Sequence, residues 1–388
     1  MTDVTAPAEP APVLPATSGG APVPESGQPL QPGPDPSVVG TGAAEAPRPG
    51  IALCLSGGGS RAMLFHAGAV LRIAEAGLLA DLACVSSVSG GSITAGRLAL
   101  VWAGRTTPPT AAQVRAEVVD PLVAVTERYI DVPAFLRGLL PGRSPGGEFA
   151  GVLDQLLLDG LTLGALPDRP EFVFNATNLN TGVLWRFSKG FVGDYVTGGG
   201  PDPATRVSTA VAASSAFPPF FAPLTFRRSG GGRSDLGDGG IYDNLGLETA
   251  WKRFGTILVS DGGGTFRAEG RSGRNPVGLM YRVTNVIDHQ VRSLRRRTLI
   301  AGYVDHQRLG AYWGIRTDPT HYPVQSNLAP DPALTAPLAD VATRMKPLDP
   351  GVAHRLVNWG YAACDTALRS HVVEALGPAA YPFEGGVG

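Results

Sequence analysis

The chain has 388 residues, a formal net charge of −1 and 43% hydrophobic residues, which fits one large globular domain or two small ones and gives a nucleic acid little to hold. The N-terminus carries no basic cluster followed by an apolar run, and no stretch approaches the ~18 consecutive apolar residues of a membrane span. A soluble body, cytoplasmic or peripheral to a membrane, is therefore expected.

The first 49 residues hold 12 of the 35 prolines, no aromatic residue, and five acidic side chains against one basic. Such a segment buries too little apolar surface to offset its ordering entropy, so residues 1–49 are read as a disordered tail and residues 50–388 as the folded domain. Beyond the tail, short apolar runs alternate with helix-compatible stretches. "IALCLS" (Ile51 to Ser56), "LACVSS" (Leu82 to Ser87), "FVFNAT" (Phe172 to Thr177), "LWRFS" (Leu184 to Ser188) and "TILVS" (Thr256 to Ser260) read as strands, several too uniformly apolar to have a wet face. Between the first two lies "RAMLFHAGAVLRIAEAG", about four turns of helix with Gly77 as its C-terminal stop. Strand, helix, strand, helix implies βαβ crossovers and a sheet covered on both faces, an α/β fold. Cys54, Cys84 and Cys364 are an odd, widely spaced set, expected to be buried thiols rather than a disulfide framework or a zinc site.

The first strand runs into "SGGGSRA", Ser56 to Ala62. As Gly57-x-Gly59-x-x-Ala62 it matches one form of the dinucleotide fingerprint, but the second strand ends in Ser86 and Ser87 rather than in the acidic residue that would hold a ribose. A P-loop is excluded because no Lys-Ser or Lys-Thr follows the glycines. A tight strand-to-helix turn accounts for one or two glycines, not three followed by an arginine. The remaining reading is a cluster of backbone N–H donors suited to the oxyanion of a tetrahedral acyl intermediate. Arg61 would then either meet a substrate phosphate or fix the loop.

"CVSSVSGGSITAG", Cys84 to Gly96, turns from strand to helix around Ser89 with small residues on both sides, as an exposed nucleophile at a strained elbow requires. A serine nucleophile needs a base. Of the six histidines, His66 falls inside an apolar helix, where a satisfied structural imidazole is expected, and none falls in a glycine-punctuated loop. A carboxylate is the alternative: Asp238 in "SDLGDGGIYDNLGLE", read as a loop, or Asp261 in "SDGGGTF" at a strand end. On local chemistry the two are nearly equal. Ahead of Asp238, "VAASSAFPPFFAP" moves from a small-residue helix into a proline turn whose three phenylalanines could shape an apolar pocket wall.

The four blocks "SGGGSRAM", "SVSGGS", "AASSAFPPFFAP" and "DGGIYDNLG", in that order between Ser56 and Gly246, resemble the patatin-like and cytosolic phospholipase superfamily of lipid acyl hydrolases. The resemblance implies a three-layer α/β/α hydrolase with a mostly parallel central sheet and a Ser-Asp dyad working without histidine, metal or organic cofactor. Carried over residue by residue, it makes Ser89 the nucleophile, Asp238 the base, Gly57, Gly58 and Gly59 the oxyanion loop, Arg61 the basic position and Asn244 the trailing asparagine. Ser87 departs from the first glycine of G-x-S-x-G, and Ala62 from the glycine that often closes the first motif. The substrate implied is a glycerophospholipid or another acyl-ester lipid. A neutral-lipid or thioester hydrolase, an acyltransferase, and a non-catalytic lipid-binding scaffold are the alternatives.

After about Leu247 no motif carries over. There "PVGLMYRVTNVIDHQVRSLRRR" (Pro276 to Arg297) repeats Val283, Ile287, Val291 and Leu294 at helical spacing, with Arg292, Arg295, Arg296 and Arg297 read as its last turn. Cations at a helix C-terminus are favourable for dipole reasons alone. A solvated, capped helix is the first reading, and an anionic membrane or partner surface the second.

Overall fold

The computed structural model describes residues 47–138, 140–218, 222–229, 231–264, 275–324 and 326–388. The proline-rich tail up to residue 46, and Phe220 and Phe221 of the expected pocket wall, lie outside the described residues. Among the described residues ten strands form one mixed sheet: β1 (Arg48–Leu55), β2 (Leu82–Val88), β3 (Glu171–Asn178), β4 (Val183–Phe187), β5 (Val192–Asp194), β6 (Gly198–Gly200), β7 (Leu224–Arg227), β8 (Arg233–Asp238), β9 (Phe254–Asp261) and β10 (Leu309–Gly314). All five strands expected from the sequence are present. Arg48 and Pro49, which composition had placed in the tail, belong to β1.

Strands β10, β9, β1, β2 and β3 run parallel in that spatial order. Beyond them β4, β5 and β6 continue antiparallel, and the β7–β8 pair joins β3 as a branch. Alternation along a strand sends successive side chains to opposite faces, and here both faces are dry. Leu53, Leu55 and Val85 enter the larger core, under helices α1 (Gly59–Glu75), α2 (Gly90–Trp102) and, near the chain's end, Pro350–His371. Ala52, Cys54 and Cys84 enter a second core with Leu247, Leu299 and Tyr303. The result is a three-layer α/β/α molecule, parallel through its central strands. Cys54, Cys84 and Cys364 are free thiols, all buried.

Helix α1 ends at Glu75, two residues before Gly77, which adopts φ 75 and turns the chain as a glycine can without strain. Two further helices matter to the site: α3 (Val207–Ser214) and α4 (Pro276–Val304). The arginines of α4 do not stand where the sequence reading put them. The helix continues past Arg297 because Leu299 and Tyr303 extend its buried side to the second core. Arg292, Arg295, Arg296 and Arg297 therefore sit mid-helix, the last turn has no basic residue, and the dipole explanation falls away. Among the described residues no helix is long and apolar enough to cross a membrane.

Candidate active site

Strand β3 brings the two candidate reacting groups together. Its first half pairs with β2 as far as Val88 opposite Asn175, and at the next residue the same edge is taken over by β8, with Asp238 opposite Ala176. The chain leaves β2 at Ser89 where β8 delivers Asp238, so residues far apart in sequence meet at adjoining register positions. Asp238 is thus the last residue of a strand rather than part of a loop, which corrects the sequence reading. Strand β8, "RSDLGD", has one large apolar residue, too few to signal a strand.

Ser89 is the N-cap of α2 and holds φ 50, ψ −119, a conformation that L residues rarely adopt. Its small neighbours are required. A Cβ on Gly90 would lie 2.2 Å from the Gly59 carbonyl oxygen, and one on Gly91 2.4 Å from that of Leu55. Ser87, the departure from the motif's first glycine, is buried and donates to the Val173 carbonyl at 3.3 Å. The elbow is held by Ser214, the last residue of α3, a position the sequence reading passed over inside its "AASSA" block. The Ser214 hydroxyl accepts the Ser89 N–H at 2.9 Å and donates to the Asn175 carbonyl at 2.6 Å, while the Ser214 carbonyl accepts Gly239 N–H at 3.2 Å. One residue therefore ties the serine elbow to the turn after Asp238.

The Asp238 carboxylate is only 4% exposed. It accepts the Gly240 N–H at 2.7 Å, and the Ser89 hydroxyl lies close enough to favour its charged form. Burial pushes its carboxyl up to about 7 against these two influences, with the negative charge of Asp288 adding to the rise. The other aspartate, Asp261, ends β9 on the far side of β1. Its oxygens accept Gly263 N–H and the Tyr312 hydroxyl, each at 2.9 Å, and it is bonded to neither Ser89 nor Asp238. His66 is fully buried between Ser56 carbonyl (2.9 Å) and Ser260 hydroxyl (2.8 Å), and burial lowers it to about 4, which keeps the ring neutral. It joins β1 to β9, the structural role expected of it.

The glycine loop needs one amendment. Gly57 donates its N–H to the Asn244 carbonyl at 2.9 Å, so that donor is spent. Gly58 and Gly59, at φ 145 and 61, have no N–H partner among the described residues, and Gly59 opens α1, where the first N–H groups are unpaired in any helix. Asn244 itself is in place beside the loop: a Cβ on Gly57 would fall 2.4 Å from its side-chain oxygen. Loop and helix are fixed from outside. Ser60 N–H reaches the Thr343 carbonyl at 3.3 Å, and its hydroxyl reaches the Arg344 carbonyl at 3.0 Å.

Arg61 is buried, and its guanidinium donates to the carbonyls of Gly262 (3.1 Å), Ala339 (3.0 Å) and Val341 (2.8 Å). Burial and the nearby Arg292 lower it to about 10, so it stays charged at neutral pH. These contacts are those of a loop-fixing residue. Lysine has its three donors on one nitrogen and cannot span carbonyls that meet two different nitrogens of the guanidinium. Arg61→Lys is therefore expected to lower turnover several-fold and equally on phospholipids and uncharged esters, together with the melting temperature. A loss confined to phospholipids would return the residue to the substrate phosphate.

The family model for patatin-like phospholipases matches residues 53–251, just over half of the chain, and the protein belongs to that family. Among solved structures it is similar to human GIVD cytosolic phospholipase A2 in complex with methyl gamma-linolenyl fluorophosphonate (TM-score 0.48, 14% identity, 82% of this chain and 57% of that one). Human GIVD cytosolic phospholipase A2 also matches at TM-score 0.41 and 15% identity over 59% of this chain, which spans about half, 48%, of that enzyme. VipD from Legionella pneumophila matches at TM-score 0.37 and 16% identity, over 83% of this chain and 67% of that one. No curated protein sequence matches the chain.

Proposed function

We propose that the protein is a serine lipid acyl hydrolase that cleaves fatty-acyl esters of glycerophospholipids through a Ser89–Asp238 dyad. Its family supports lipid acyl hydrolysis in general, and the observation that carries the finer reading is the handover on β3 that sets a buried carboxylate against the Ser89 hydroxyl. Ionised Asp238 takes the Ser89 proton as Oγ attacks the ester carbonyl carbon. The oxyanion so formed is held by the N–H groups of Gly58 and Gly59, preorganised donors that need no rearrangement as charge develops. The tetrahedral intermediate collapses, the C–O bond to the leaving alcohol breaks, and Asp238 returns its proton to that alcohol. In the second half Asp238 takes a proton from water, whose oxygen attacks the acyl-serine. The fatty acid leaves and Ser89 is reprotonated.

A second reading, hydrolysis of neutral acyl esters, is favoured by Arg61, whose guanidinium is engaged by backbone carbonyls instead of facing a phosphate. The two are separated by incubating the purified protein with a panel of phospholipids and neutral glycerides and identifying released fatty acids by mass. Because the base works only when ionised, kcat/KM on the preferred substrate is expected to rise with pH through about 7 and then level. A profile flat from pH 5 to 9, or no release from any lipid, would sink the dyad reading.

A further inference from the structure

Helix α4 leaves an apolar face uncovered. Leu279, Met280, Val283, Val286, Ile287 and Leu294 are all exposed, Met280 by 74% and Ile287 by 59%. At about 100° per residue they fall within an arc of roughly 120°, opposite the side on which Leu299 and Tyr303 enter the core, and the stripe is about 22 Å long. A contiguous outward apolar surface of this kind marks a contact with something other than water.

Charge says what that something is. The helix carries five arginines and one acidic residue, Asp288. Arg292 and Arg295 turn inward to body carboxylates, Arg295 pairing with Glu248 at 2.9 Å and Asp243 at 3.5 Å, whereas Arg297 is exposed within the stripe's arc and Arg282 stands at its edge. An apolar face with cationic flanks is the pattern of a helix lying in an anionic lipid interface. Its position fits the same partner. Arg295 stacks over the Tyr242 ring at 5.5 Å, in the turn that follows Asp238. At that turn Ile241 and Leu179 are exposed and flank Gly237, whose added Cβ would lie 3.0 Å from the first and 3.3 Å from the second.

We propose that this face of α4 docks the protein on an anionic phospholipid bilayer and sets the rim of the Ser89–Asp238 site against the lipid surface; only the location of that site is taken from the function proposed above. Vesicles of phosphatidylcholine alone, and of phosphatidylcholine and phosphatidylglycerol in equal parts, are sedimented with the full chain, its Ser89→Ala variant and the Val283→Ser, Ile287→Ser double variant. Wild type and Ser89→Ala are expected to bind the mixed vesicles in a salt-sensitive way and the neutral ones less. The double variant should lose about 100-fold in affinity while keeping its melting temperature and its turnover of a soluble short-chain ester. Full vesicle binding by the double variant, no binding by wild type, or loss of soluble-ester turnover in the double variant would each overturn the proposal. So would a wild-type dimer that the double substitution dissociates without changing vesicle binding, since a second copy would then own the face. Vesicle binding that depends on the stripe, without fatty-acid release from any lipid, would uphold the docking surface and sink the hydrolase reading.

Discussion

Asp238→Asn is expected to lose turnover by on the order of 10⁴-fold and, above neutral pH, to melt at a higher temperature than the wild type. The first effect follows because an amide cannot accept the serine proton. The second follows from burial. The folded-state carboxyl is raised from 3.8 to about 7, so its contribution to stability is full below about pH 4 and is lost as pH rises through 7. At pH 8 the buried charge costs on the order of 4 kcal/mol relative to the protonated form. Asparagine keeps the shape and the bond from Gly240 N–H without that charge. Calorimetry at pH 5 and 8, beside kcat on one soluble ester, checks both halves. Asp261→Asn is the control and should keep most of its turnover; an active Asp238→Asn beside a dead Asp261→Asn would move the base to β9.

Gly59→Ala should be the most damaging change of a single methyl group. Its Cβ would lie 1.5 Å from the Thr343 carbonyl oxygen, at φ 61, so either the loop or the segment that anchors it must move. Backbone cannot yield as a flexible side chain can. Misplacing the Gly58 and Gly59 donors should lower kcat about 10²- to 10³-fold, and the displaced packing should cost about 2–4 kcal/mol in denaturant unfolding. Gly77→Ala isolates the conformational part: φ is 75 and nothing lies within 4 Å of the added methyl. It should cost about 1 kcal/mol and leave kcat alone. A Gly59→Ala enzyme within a few-fold of wild type would remove the glycine loop from the mechanism.

Four of the five strands of the parallel half, α1 and the elbow at Ser89 were legible because each rests on a side-chain pattern: uniform apolar runs, a glycine stop, small residues around a serine; β10, "LGAYWG", was not read as a strand. What escaped is mostly backbone. The carbonyls of Ala339, Val341 and Thr343 anchor Arg61 and Ser60, and a carbonyl has no signature in sequence. Engagement of the Gly57 N–H by Asn244 was invisible for the same reason. Ser214 escaped differently, since a hydroxyl in a helix of small residues gives no sign that it holds the Ser89 N–H. The arginine run in α4 misled because charge was read as a terminus, while Leu299 and Tyr303 beyond it carried the helix on.

The loop anchors also bear on when, during synthesis, a working site could first exist. Ser89 and Asp238 are both translated by residue 238, yet the carbonyls that clamp the glycine loop belong to residues 339–344, about a hundred codons later. Strand β9, which flanks β1 beneath that loop, is also made after Asp238. A ribosome-bound chain holding both Ser89 and Asp238 would still lack the frame that fixes its glycine loop. The glycine loop would take its final form only as the last third of the polypeptide folds.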